Sequence, residues 1–169
     1  RVDADTGFQS VATEEAQTAI HLDPEEPFPH YALSIVLAGR SHFPEAEQAI
    51  EEALNLDPYR PEFFAHQARI QLNQRRWQDA LDAANEGLEL DPENIDCTNL
   101  RAMALVKLGH KGAADESIAA ALARNPEDAM SHANRGWTYI EQGQHQKALE
   151  SFQEALRIEP DLEWAQLGI

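Results

Sequence analysis

Small and apolar residues along this chain fall at i, i+4, i+7 and i+8, first as Ala46, Ile50, Ala53 and Leu54. The set returns as Ala80, Ala84, Gly87 and Leu88, then Ala114, Ile118, Ala121 and Leu122, then Ala148, Phe152, Ala155 and Leu156. This spacing lines up one face of an α-helix. Each set follows the last after 34 residues, and a proline closes each stretch at the same interval: Pro24, Pro58, Pro92, Pro126 and Pro160. Around the prolines one phrase nearly recurs, as LNLDP at 54–58, LELDP at 88–92, LARNP at 122–126 and LRIEP at 156–160, with HLDP at 21–24. A fixed period of roughly 20 to 50 residues is the mark of stacked supersecondary units.

With each proline set as position 32, the chain divides without gaps into units 27–60, 61–94, 95–128 and 129–162. Residues 1–26 are then the later part of an earlier unit, and 163–169 open a further one. Position 20 is alanine in every copy (Ala12, Ala46, Ala80, Ala114, Ala148), and position 8 is Ser34, Ala68, Ala102 and Gly136. Small residues at fixed places let two helices approach closely. Each unit therefore reads as a helix A, a short turn (SHF, RRW, GHK, GQH) and a helix B that stops ahead of the proline, which disfavours helix at the residue before it. Asn94 and Asp128 suit N-caps, and Pro61 and Pro44 suit helix starts. The pattern predicts helices near 9–22, 27–40, 44–56, 61–74, 78–90, 95–108, 113–124, 129–142 and 146–158. The fold class is all-α, a solenoid of antiparallel helix pairs forming one array over 1–169.

Charge narrows the partners. Thirty acids against 13 bases give a net charge of −17, which repels a nucleic-acid backbone and an anionic membrane surface. Cys97 stands alone, so the fold needs no internal disulfide and a cytoplasmic location is expected. The longest apolar run, YALSIVLAG at 31–39, is far short of the about 18 residues of a spanning helix. A chain that starts at Arg1 rather than methionine and stops within a helical pattern reads as a fragment.

Reactive chemistry is sparse. There is no GxSxG, HExxH, CxxC or phosphate-cradling glycine loop. His42, His110 and His145 fall at the A–B turns and read as solvated turn residues, and the pairs Glu14–Glu15, Glu25–Glu26 and Glu51–Glu52 read as solvated helix ends and faces. Cys97 reads as a buried structural thiol and Trp77, at position 17, as a staple between helices A and B. No enzyme activity, metal or cofactor is expected.

The unit resembles the tetratricopeptide repeat, whose pattern is W-x2-L-G-x2-Y, then A-x3-F, then P. The fourth unit matches at Gly136, Tyr139, Ala148, Phe152 and Pro160, while His132 and Arg135 stand in place of the Trp and Leu. The resemblance implies a right-handed superhelix with helices A along a concave groove, contributed by positions 2, 5, 6, 9, 12 and 13. Candidate partner-binding residues on that groove are Phe28, Tyr31, Ile35, His66, Arg69, Asn99, Met103, Lys107, Met130, Asn134 and Trp137. Only Glu62, Asp96 and Glu141 against Arg69 and Lys107 are charged at these positions, so the excess acid lies elsewhere. Some members of the family hold a chaperone's C-terminal carboxylate with Lys at position 5, Asn at position 9 and Asn at position 6 of the next unit. Here position 5 is never Lys and position 9 is Ile35, Arg69, Met103 and Trp137; Asn134 matches alone, and the clamp is absent.

The expected function is a non-enzymatic scaffold that binds a protein or peptide segment in this groove, with no nucleic acid and no direct membrane contact. Two alternatives stand beside it. One is a structural spacer whose cut ends pair copies end to end, weakly, through residues such as Trp164, Leu167 and Ile169. The other is the soluble repeat portion of a membrane-anchored bacterial protein.

Overall fold

The computed structural model describes residues 4–169. They form ten helices: α1 Ala4–Leu22, α2 Pro27–Gly39, α3 Phe43–Leu56, α4 Pro61–Asn73, α5 Trp77–Leu90, α6 Ile95–Leu108, α7 Lys111–Arg124, α8 Ala129–Glu141, α9 His145–Ile158 and α10 Glu163–Gln166. No strand occurs among the described residues. From α2 onward the helices alternate as A and B members of pairs, and successive A helices (α2, α4, α6, α8) also touch one another.

The recurring phrase has a local cause. Asp57, Asp91 and Asn125 precede prolines and are extended, with φ near −140°. Their side-chain oxygens then accept the amide two residues on, at Tyr59, Glu93 and Glu127. The same bond joins Asp23 to Glu25. A helix B thus ends in an Asx turn that redirects the chain into the next helix A. Asn94 Oδ1 accepts from Cys97 N at 2.9 Å and Asp128 Oδ2 from Ser131 N at 2.9 Å, so both expected N-caps are present.

The A–B turns repeat as well. Ser41 (φ 61°), Arg75 (59°), Gly109 (76°) and Gly143 (71°) all sit at position 15 in left-handed backbone. The amide that follows each of them bonds back to Leu37, Gln71, Leu105 and Tyr139 carbonyls at 2.9 Å, a Schellman closure.

Close approach explains the small residues. Ala46, Ala80 and Ala114 are wholly buried and Ala148 is nearly so. A Cβ on Gly136 would stand 2.5 Å from the Phe152 ring, and one on Gly87 would stand 2.5 Å from Cys97 Sγ.

The amino-terminal expectation needs correction. The register puts an A–B turn at residues 7–9, yet α1 runs unbroken through them. Among the described residues α1 packs against α2 alone, so no folded-back helix A covers this stretch. Continued helical hydrogen bonding therefore wins over a turn with nothing to pack against. Phe8 and Val11 remain largely exposed on this helix.

Candidate concave cleft

Helices α4, α6 and α8, the α4–α5 turn and α10 enclose a cleft of about 730 Å³. Leu72, Leu100 and Met103 supply its apolar floor, and Trp77, Trp164 and Leu167 stand at its sides. The cations Arg69, Arg75 and Lys107 and the acids Asp96, Asp128, Glu159 and Glu163 also line it. The volume lies in the range of ordinary ligand pockets, and the mixed lining suits a peptide better than an apolar small molecule.

Five of the expected groove residues line this cleft: Arg69, Asn99, Met103, Lys107 and Met130. Phe28 and Ile35 are exposed on α2, away from it. Tyr31 belongs to an aromatic cluster, its ring centroid 4.9 Å from that of Phe63 and 5.6 Å from that of His66. Burial raises the Tyr31 pKa from its ordinary value.

Two expected contact residues, His66 and Asn134, are interior cross-links instead, and Asn99 makes such a cross-link at the edge of the cleft. His66 is 4% exposed, Asn99 6% and Asn134 0%. Ser34 Oγ donates to the Ala46 carbonyl at 2.6 Å, so its lone pair accepts from His66 Nε2 at 3.0 Å. Ser34 is wholly buried, and this serine–histidine contact joins α2 to α4 rather than making a nucleophile. Burial, with Arg69 nearby, lowers the His66 pKa from 6.5 to about 4. Asn99 Nδ2 donates to Asp128 at 2.9 Å and its Oδ1 accepts from Ser131 Oγ at 2.9 Å. Asn134 Nδ2 donates to the Asn99 carbonyl at 3.2 Å, and its Oδ1 accepts from Trp164 Nε1 at 2.8 Å. Position 6 therefore faces the preceding helix A. Ala32, at the same position on α2, has no preceding helix A against it and is exposed.

Trp137 is also corrected. Its ring packs 5.4 Å from Phe152 and 5.1 Å from Trp164, and its Nε1 donates to the Trp164 carbonyl at 3.0 Å. It supports the cleft wall rather than presenting itself to a partner. Trp164, expected to be exposed, packs over it, whereas Leu167 and Ile169 do face solvent. Trp77, half-buried at the start of α5, also lines the cleft, where Lys107 Nζ lies 5.6 Å from its ring centroid.

Lys107 thus meets all three tryptophans of the chain, with Nζ also 5.4 Å from Trp137 and 5.2 Å from Trp164. Indole faces attract a cation at such distances. Arg75, Trp77, Trp164 and Leu167 were not among the groove candidates. The last two occupy positions 2 and 5 of the following unit, so extending the register by one unit would have found them. Cys97 is buried as expected, with its thiol pushed up to about 11, which suits an unreactive core residue. Among the described residues no group of three or more metal-ligating side chains converges.

The tetratricopeptide-repeat sequence profile matches residues 31–95 and 99–163. The chain belongs to the tetratricopeptide-repeat family. Proteins of this family are interaction scaffolds. No curated protein sequence matches the chain. Solved structures share its fold. The structure titled "YrrB: a TPR protein with an unusual peptide-binding site" aligns at TM-score 0.71 and 22% identity, over 97% of this chain and 84% of that one. MamA from Desulfovibrio magneticus RS-1 aligns at TM-score 0.77 and 18% identity, over 94% and 90%. The chain from the Cut9–Hcn1 complex of the APC/C aligns at TM-score 0.80 and 19% identity, over 98% of this chain and 33% of that one. Among the described residues of this tetratricopeptide-repeat chain, no helix is long and apolar enough to cross a membrane.

Proposed function

We propose that this chain is a non-catalytic scaffold that binds a segment of another protein in the concave cleft between α4 and α10. The observation that carries the reading is the cleft itself. An apolar floor of Leu72, Leu100 and Met103 lies among charged side chains, a mixture that suits a protein segment. YrrB, of the same fold, is described as having a peptide-binding site, which supports the same use here. Met103 serves as the anchor, because its side chain is half-buried and lines the cleft. The test is capture of peptides by the wild-type chain and by Met103→Glu, whose carboxylate would stand in the apolar floor. Loss of capture with unchanged melting supports the cleft, and equal capture rejects it.

A second reading, pairing of copies through their ends, is favoured by the exposure of Phe8, Val11, Leu167 and Ile169. Sedimentation at increasing concentration separates the two, because cleft binding leaves the free chain monomeric.

A further inference from the structure

The cations of the cleft differ from the three arginines that form ion pairs. Arg60, Arg76 and Arg157 each form ion pairs with two acids, as befits bases outnumbered by acids. Arg69, Arg75 and Lys107 line the cleft, and among the described residues none of them pairs with an acid or donates a side-chain hydrogen bond to protein. They come from different places: α4, the α4–α5 turn and the last turn of α6. A guanidinium carries five N–H donors and an ammonium three, so one cleft wall offers many donors and no internal acceptor.

Two further features bear on these cations. Lys107 Nζ sits among three indole faces at 5.2 to 5.6 Å, which fixes the ammonium without using its N–H groups. Arg75 has φ 59° at a position where two other turns use Gly109 and Gly143. A large side chain stands there against the backbone preference.

Three of the four acids of the cleft have roles within the fold, while the fourth, Glu159, is the C-cap residue of α9. Asp128 Oδ2 accepts from Ser131 N and Asn99 Nδ2, so that oxygen is committed within the fold. Asp96 and Glu163 lie in the first turns of α6 and α10, where the positive ends of the backbone dipoles favour them.

Resting on the cleft as the protein-binding surface, we propose that its partner is an acidic segment studded with apolar residues. Aspartate or glutamate side chains bond to Lys107, Arg75 and Arg69, while a large apolar side chain sits on Leu100 and Met103. The cations stand at positions 13, 15 and 9, unlike the chaperone-tail clamp, so side-chain carboxylates within a segment are the ligand rather than a chain terminus.

The test uses the whole chain and a peptide array, acetylated and amide-capped, in which Leu and Phe alternate with Glu and Asp, with Gln and Asn, or with Lys and Arg. Uncapped acidic copies are included, and hits are measured in solution by anisotropy. Capped acidic peptides should bind at least tenfold tighter than their amide counterparts. The triple variant Arg69→Gln, Arg75→Gly, Lys107→Met should reduce them to the amide level while still melting as a folded array. Preference for basic or neutral peptides, binding of uncapped copies alone, or unchanged acidic binding by the triple variant overturns the proposal. If neutral or basic peptides bind and Met103→Glu abolishes that binding, the cleft reading stands and the acidic preference falls. If no peptide of any charge binds, both fall.

Discussion

Trp137 Nε1 donates to the backbone carbonyl of Trp164 at 3.0 Å, while Trp164 Nε1 donates to Asn134 Oδ1 at 2.8 Å. The two indoles thereby tie α10 to α8, and the wall of the cleft depends on both.

Trp137→Ala should therefore fail twice. It removes a half-buried ring against Phe152 and the donor that holds α10. Stability should fall by about 3 kcal/mol, read by denaturant unfolding, with loss of peptide capture alongside. A variant that keeps its melting point and loses only capture would return Trp137 to the role of direct contact.

How far the sequence reveals this arrangement depends on the question. Ala46, Ala80, Ala114 and Ala148 identify the A–B crossing because that contact lies within a unit and recurs with it. His66 and Asn134 were misplaced because position 6 faces either groove or neighbour according to the angle between successive units. No pattern within one unit encodes that angle. Position 6 reads Ala32, His66, Leu100 and Asn134, with no carboxylate, lysine or arginine, as a seam requires. Arg75 is not legible in the helical register because it stands in a turn.

Arg75→Gly relieves left-handed backbone at φ 59°. Stability should rise by up to about 1 kcal/mol, since glycine adopts this region without steric cost. Thermal melting checks it. A fall would mean that the side chain contributes more to the fold than the backbone strain removes.

Phe152 is enclosed between two glycines, and a Cβ on either Gly136 or Gly168 would overlap its ring. Gly136→Ala should cost about 1–3 kcal/mol by overpacking. Pairing it with Phe152→Leu should recover part of the loss. Independent, additive effects in that double-mutant cycle would contradict the contact.

His66 contributes a pH dependence of known sign. Burial, chiefly, depresses its pKa from 6.5 to about 4, so the native state favours the neutral ring. The contribution is complete above pH 6.5 and is lost as pH falls from 6.5 toward 4, where the unfolded chain binds the proton first. The stability difference between wild type and His66→Gln should shrink by about 3 kcal/mol between pH 7 and pH 4. A difference that stays constant would place the imidazole in contact with water.

The central claim is that the cleft floor between α4 and α10 carries partner binding while leaving the fold to the helix pairs. Comparing the affinity of a captured peptide for wild type and Met103→Glu, with melting recorded on the same samples, addresses it directly. Binding should weaken at least tenfold with melting shifted by no more than a few degrees. Unchanged affinity in a folded variant would contradict it, and would move the binding surface away from the concave face.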